Sequence, residues 1–143
     1  MLKVLLPVDG SESATRATQE LIKTLSLYKE QPRIDLLAVT LPVHRFPNMS
    51  VVVSDAMIQS YYDDECKGML AASKKALDAA GIKYTEHKVV GPIAESIVEQ
   101  AKQCGSTMIY MGTRGMTALA NMVLGSVTTR VLHLAHVPIV VIH

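Results

Sequence analysis

The chain has few of the residues that mark several protein classes. Tryptophan is absent, aromatic residues make up 4% of the sequence, and 14 lysines and arginines nearly balance 13 aspartates and glutamates. No basic run and no basic face with interleaved aromatic residues occurs. The composition therefore argues against nucleic-acid binding as the main task of the protein.

Long apolar runs and closely spaced cysteines are also missing. No stretch approaches the ~20 apolar residues of a membrane-spanning helix, and Met1-Leu-Lys leads into a predicted strand rather than a signal peptide. Cys66 and Cys104 lie far apart in separate predicted helices. A disulfide framework or a zinc site needs more cysteines at closer spacing, so both are interpreted as buried thiols rather than redox residues. We expect a cytoplasmic protein with no membrane span.

Strand and helix patterns alternate along a chain of 143 residues, which fits a single domain over residues 1–143. Strands are predicted at 2–8, 34–40, 83–90, 106–111 and 138–142, and helices after Ser11, after Ser54 or Asp55, from Pro92 and at 127–135. This order predicts an α/β fold with an open, parallel five-stranded sheet and helices on both faces. Ligands of such sheets bind beyond the carboxyl ends of the strands.

The glycines after the fourth strand carry the strongest functional signal. Gly112-Thr-Arg-Gly115 leaves the strand, and Gly125-Ser126 follows nine residues later, where a helical pattern begins. Glycines let backbone amides approach a ligand closely, and a helix N-terminus offers free amides and the positive end of the helix dipole. Two such elements on either side of one loop predict a cradle for the phosphates of a nucleotide.

The side chains near this cradle have structural alternatives. Arg114 can pair with phosphate oxygens or be a solvated loop cation. Ser126 and Thr128 offer hydroxyls, although Ser126 can equally be a helix N-cap. Asp9 ends the first strand and can accept from a ribose hydroxyl, hold Mg²⁺ through water, or form an Asp-Gly-Ser turn. Residues 116–124 are unusually apolar for a loop and are predicted to pack as a short helical turn or to cover a neighbour.

The remaining candidates for chemistry are weak. His133 and His136 have a spacing that a metal ion can use, but no third ligand is near them in the sequence, so a structural role is favoured. His44 and His87 have no supporting neighbours. The P-loop and dinucleotide fingerprints are absent, and no nucleophile has a supporting local motif. A nucleotide pocket without a visible general base indicates binding, or at most slow hydrolysis.

Three motifs together carry a resemblance to a known family. They are the opening Val4-Leu-Leu-Pro-Val-Asp-Gly-Ser11, the pattern Gly112, Gly115, Gly125-Ser126, and the closing segment 137–142. Over essentially its whole length the chain resembles the ATP-binding branch of the universal stress protein family. The resemblance implies a Rossmann-like fold of the adenine nucleotide α-hydrolase-like kind.

The resemblance also implies a site, its ligand and an assembly. The ligand would be ATP, or AMP or ADP, with Mg²⁺ held by Asp9 through water, and the protein would be a homodimer paired antiparallel through the last strand, 138–142. Asp9 would lie near the ribose and Val39 at the adenine. The implied nucleotide-binding residues are Pro7, Val8, Asp9, Val39, Met111, Gly112, Arg114, Gly115, Gly125, Ser126, Val127 and Thr128.

Three hypotheses about function follow. The one that we adopt is a stress-response regulator in which ATP occupancy orders residues 112–128 and alters the surface seen by an unidentified partner protein. The second is a slow Mg²⁺-dependent ATPase or nucleotidyl-transfer enzyme in which Asp9 places the metal. The third is an interaction module that binds no nucleotide, and the intact glycine pattern counts against it.

Overall fold

Five strands and four helices alternate along residues 1–44, 53–113 and 123–143, which are the residues described by the computed structural model. The α/β order predicted from the sequence is confirmed. The elements are β1 (Lys3–Pro7), α1 (Glu12–Leu25), β2 (Arg33–Thr40), α2 (Asp55–Ala79), β3 (Thr85–Val90), α3 (Ile93–Cys104), β4 (Met108–Gly112), α4 (Ser126–Leu134) and β5 (Ile139–Ile142).

The strands form one parallel sheet in the order β3-β2-β1-β4-β5. From β1 in the centre, the chain steps outward to β2 and β3, and then crosses back to β4 and β5. The direction of winding therefore reverses between β1 and β4. This confirms the predicted open parallel sheet, with β3 at one edge, and it sets the place where a ligand cleft opens.

Side chains of the inner strands alternate between two cores, which explains why these strands have continuous apolar sequences. Leu6 and Leu36 point into the core beneath α1 and α2. Leu5 and Leu37 point into the opposite core, beneath α3 and α4. The prediction of helices on both faces is therefore confirmed. No helix in the described part of the chain is both long and apolar enough to cross a bilayer.

The predicted helix starts are largely confirmed by their caps. The Ser11 side chain accepts from the Ala14 N–H at 3.1 Å, and the Ser54 side chain accepts from the Met57 N–H at 3.1 Å. Ser54 is thus the cap of α2, and Asp55 is its first residue. The placement of Pro92 at the first helical position is wrong by one residue, because its ψ of 130° is extended and α3 begins at Ile93.

Gly112 allows the end of β4 to touch the start of α1. A methyl group on Gly112 would lie 2.7 Å from the carbonyl oxygen of Ser13, which is closer than van der Waals contact allows. Gly68, on α2, is the reverse case, since a methyl group there would meet nothing within 4 Å. The two glycines thus form a matched pair for substitution.

We expect Gly112→Ala to lower the free energy of unfolding by about 1–3 kcal/mol, because strand and helix must move apart to admit the methyl group. Gly68→Ala should raise it by roughly 0.5–1 kcal/mol, since alanine replaces glycine inside an unobstructed helix. Urea unfolding of the two variants and the wild type measures both changes. If Gly112→Ala had the same free energy of unfolding as the wild type, the close packing of β4 on α1 would be contradicted.

Candidate functional site

A cleft opens beyond the carboxyl ends of β1, β2 and β4, at the reversal of winding. It contains about 590 Å³ of empty space, part of it open to solvent. The lining is mostly apolar. Its residues are Pro7, Val8, Asp9, Ala14, Val39, Met69, Ile93, Ile97, Met111, Gly112, Val127 and Thr128.

Most of the residues that were predicted to form the site lie in this cleft. Gly125 is the N-cap of α4 and Ser126 is its first residue, next to the cleft residues Val127 and Thr128. Arg114 and Gly115 lie outside the described residues. The predicted residues that line the cleft are Pro7, Val8, Asp9, Val39, Met111, Gly112, Val127 and Thr128.

Four lining residues were not predicted as site residues: Ala14 of α1, Met69 of α2, and Ile93 and Ile97 of α3. Helical periodicity identifies each of them as part of an apolar inner face. It does not say which inner-face residues lie at the carboxyl end of the sheet. Only the packing of three helices around the strand ends brings these four side chains to one cavity.

Two hydrogen bonds tie β4 to the start of α4 beside the cleft. The Gly125 N–H donates to the Thr113 carbonyl at 2.6 Å, and the Thr128 hydroxyl donates to the Gly112 carbonyl at 3.0 Å. The Thr128 hydroxyl, predicted as a ligand group, therefore has a structural acceptor here. An ion pair from Arg130 to Glu95 of α3 also holds α4, and the hydrogen bond from Arg130 lowers the pKa of the Glu95 carboxyl.

The amino end of α4 presents free backbone donors at the cleft. Gly125 has extended backbone angles and no side chain to cap the helix. The Thr129 N–H is the first in the helix to find a backbone acceptor, the Gly125 carbonyl at 3.0 Å. The amides of residues 126–128 therefore have no acceptor within α4, and the helix dipole adds partial positive charge at the same point. This geometry suits an anion.

Asp9 forms the Asp-Gly-Ser turn that was one of its predicted alternatives. Its Oδ1 accepts from the Ser11 N–H at 2.9 Å, and Gly10 has a φ of 83°. The residue is half-buried and lines the cleft. Among the described lining residues, Asp9 is the one with an ionisable side chain. The turn therefore holds a carboxylate at the cleft without excluding it from contact with a ligand.

Two side chains outside the cleft have surroundings that the sequence did not indicate. His87, which has no supporting neighbours in the sequence, lies 2.8 Å from a carboxylate oxygen of Asp35 and close to Cys104. Cys104, the last residue of α3, is half-buried rather than buried as predicted, whereas Cys66 is buried as predicted. These partners come from separate elements, and local spacing therefore could not reveal them.

The chain is similar to proteins of one family throughout its length. A model of the universal stress protein family matches residues 1–143. Universal stress protein MJ0531 of Methanocaldococcus jannaschii is 30% identical over 98% of this chain and 81% of its own length. MJ0577 of the same organism is 31% identical, over 98% of this chain and 93% of its own. The solved structure of MJ0577 matches with a TM-score of 0.81, covering 99% of this chain and 94% of that one.

Two further solved structures of universal stress proteins share the fold and hold nucleotides. One, in complex with cAMP, has a TM-score of 0.71 and 22% identity, covering 99% of this chain and 97% of that one. The other, from Archaeoglobus fulgidus in complex with dAMP, has a TM-score of 0.66 and 18% identity, covering 100% and 98%. With the match of the family model to residues 1–143, the chain belongs to the universal stress protein family.

Proposed function

We propose that this protein binds ATP in the cleft at the strand ends and acts as a homodimeric regulator in the response to stress. The observation that carries the proposal is the position of the free amides of residues 126–128, beside a mostly apolar cleft at the carboxyl ends of the strands. Relatives solved with cAMP and dAMP support an adenine nucleotide as the class of ligand.

The cleft offers different surfaces to the parts of a nucleotide. Val39 and Met111 provide apolar contact for the adenine and ribose. Asp9 provides the carboxylate that a ribose hydroxyl or Mg²⁺-bound water requires. The amides at the start of α4 would hold phosphate oxygens. Arg114 and Gly115 complete this set in the proposal, although both lie outside the described residues.

The lining supports binding rather than rapid hydrolysis. A general base must have a basic group within reach of the attacking water. Among the described lining residues the one carboxylate is that of Asp9, and it already accepts from the Ser11 N–H. The cytoplasmic location stays a prediction. The switch over residues 112–128 also stays a prediction, since residues 114–122 of that segment lie outside the described part of the chain.

The free edge of β5 supports the proposed dimer. Ile109 donates to the Pro138 carbonyl, and Thr113 donates to the Ile142 carbonyl. Since parallel strands alternate the direction of their backbone groups, the N–H and carbonyl of Val141 point away from β4. All four side chains of β5 are half-buried within one chain. Pairing of this edge with a second copy would satisfy the outward groups.

The Ser126 backbone amide can be removed without harm to α4. Proline suits the first position of a helix, and the extended angles of Gly125 (φ −72°, ψ 164°) suit the residue before proline. We expect Ser126→Pro to weaken ATP binding by roughly tenfold or more, since it deletes one donor to a charged phosphate. Isothermal titration calorimetry measures the change.

Ser126→Ala is the matched control, because it removes the hydroxyl and keeps the amide. It should bind ATP more tightly than Ser126→Pro, and all three proteins should bind adenosine equally. Equal ATP affinity for Ser126→Pro and the wild type would show that the amino end of α4 does not hold the phosphates.

Two substitutions at Asp9 distinguish its structural role in the turn from its proposed role in binding the ligand. Asp9→Asn keeps an oxygen that can accept from the Ser11 N–H, so its free energy of unfolding should stay within about 0.5 kcal/mol of the wild type. Loss of the charge should weaken binding of Mg-ATP by roughly fivefold. Asp9→Ala should lose about 1 kcal/mol of stability as well.

Calorimetry with Mg-ATP and urea unfolding measure the two effects of Asp9. Wild-type affinity in Asp9→Asn would remove this carboxylate from the site. Mg²⁺-dependent turnover of ATP that disappears in Asp9→Asn would favour the slow-ATPase alternative over a regulator without turnover.

The dimer can be tested with one proline on each edge of the sheet. Val141→Pro removes an N–H that points outward from β5 and leaves the bonds to β4 intact. Lys88→Pro is its control, since the bond from the Gly91 N–H to Thr40 places the Lys88 N–H on the outer side of β3. Light scattering after size-exclusion chromatography should give a dimer for the wild type and Lys88→Pro, and a 15.5 kDa monomer for Val141→Pro. A dimeric Val141→Pro would place the interface elsewhere.

A further inference from the structure

A second group of polar side chains lies away from the cleft, on the sheet face beneath α3. Asp35 is the third residue of β2, His87 is the third residue of β3, and Cys104 is the last residue of α3. The cleft lies at the carboxyl ends of the strands, while α3 runs back towards their amino ends. A carboxylate oxygen, a ring nitrogen and the sulfur of the three side chains lie within 4.8 Å of one another.

The contacts within this Asp35–His87–Cys104 cluster centre on one ring nitrogen. His87 Nε2 lies 2.8 Å from Asp35 Oδ1 and 3.7 Å from Cys104 Sγ. Gln100 lies one turn before Cys104 on α3, and its Nε2 is 3.2 Å from both His87 Nδ1 and Cys104 Sγ. Arg33 donates to the same Asp35 Oδ1 at 3.1 Å.

The Asp35 carboxylate gives a second, independent observation that points to a ligand. Its side chain is 0% exposed, yet Oδ2 has no hydrogen-bond partner among the described residues. Arg33 and His87 both contact Oδ1, so neither satisfies the second oxygen. A buried carboxylate oxygen without a partner is costly, and an ion is one of the groups that can satisfy it.

We propose that Asp35, His87 and Cys104 form a Zn²⁺ site. Zinc accepts carboxylate oxygen, imidazole nitrogen and thiolate sulfur together, whereas Mg²⁺ prefers oxygen ligands. With Zn–S near 2.3 Å and Zn–N near 2.0 Å, a tetrahedral ion places its ligand atoms roughly 3.5 Å apart. The 3.7 Å between Cys104 Sγ and His87 Nε2 already fits this arrangement. Binding through Asp35 Oδ2 would give that oxygen a partner and leave Arg33 on Oδ1, and the 2.8 Å contact of His87 Nε2 with Oδ1 opens as the ion takes Nε2.

The neighbouring residues complete the site. Zinc on Nε2 leaves the His87 proton on Nδ1, and the Gln100 amide, whose nitrogen faces Nδ1 here, would turn over to present its oxygen as acceptor and fix the ring. The His87 side chain is 22% exposed, so water has access to the fourth position on the metal. The Cys104 thiol releases its proton to solvent when the ion binds. Since this site shares no residue with the cleft, it does not depend on the proposed nucleotide binding.

Cobalt is the direct probe of this site, because Co²⁺ bound to a thiolate absorbs in the near ultraviolet. The full-length chain is reduced, stripped with a chelator and titrated with Co²⁺ and then Zn²⁺. We expect one Co²⁺ per chain with a thiolate-to-cobalt band, which Zn²⁺ removes and millimolar Mg²⁺ does not. Zinc should also raise the midpoint of thermal unfolding, because it binds the folded chain.

Cys104→Ala and Cys66→Ala are the matched pair for the sulfur ligand. Cys104→Ala should abolish the band and weaken zinc binding at least roughly tenfold, as should His87→Gln and Asp35→Asn. Cys66 lies in the opposite core, where burial raises the pKa of its thiol, and Cys66→Ala should keep the band. Competition against a chromophoric chelator measures the affinities, and circular dichroism confirms that each variant is folded.

Two results would overturn the zinc site. One is a wild-type chain that gives no thiolate-to-cobalt band. The other is a band that survives in Cys104→Ala. Because Asp35 is fully buried, Asp35→Asn can fail to fold, and the half-buried Cys104 then decides the question by itself.

Discussion

The reversal of winding at β1 is the constraint on which the rest of the structure depends. Right-handed crossovers place α1 and α2 on one face of the sheet and α3 and α4 on the other, because the chain moves outward from β1 in opposite directions. The segments that follow β1 and β4 therefore diverge, and a cleft opens between them. The hydrogen bonds of Gly125 to Thr113 and of Thr128 to Gly112 then fix the start of α4 at this opening.

The polarity of the parallel sheet separates two kinds of chemistry. At the carboxyl ends of the strands, backbone amides and a mostly apolar lining suit an anionic ligand with a flat ring, and Asp9 is the one described ionisable group there. Beneath α3, side chains supply the polar atoms, with a fully buried carboxylate beside an imidazole and a thiol. The two sites share no residue, so the proposed nucleotide binding and the proposed metal binding can be tested independently.

The fold and the outline of the cleft were predictable from sequence because both depend on local patterns. Apolar strand runs, the Ser11 and Ser54 caps and the glycine spacing each indicate an element or its end. The four helix residues of the lining, such as Met69, were not assignable. Helical periodicity shows which face of a helix is buried, but not which residues on that face lie at the carboxyl end of the sheet. The Asp35–His87–Cys104 cluster was missed for a related reason: its members are separated by 52 and 17 residues, and only strand register and helix packing unite them.

The most direct test of the proposed nucleotide site is to denature freshly purified protein and separate the released small molecules by anion-exchange chromatography. A calorimetric titration of folded, nucleotide-free protein with Mg-ATP then follows. We expect an adenine nucleotide in the released fraction or, for a chain purified empty, saturable binding of one ATP per chain. A chain that releases no nucleotide and shows no binding at millimolar Mg-ATP would contradict the assignment of the cleft and favour a dimeric interaction module that binds no nucleotide.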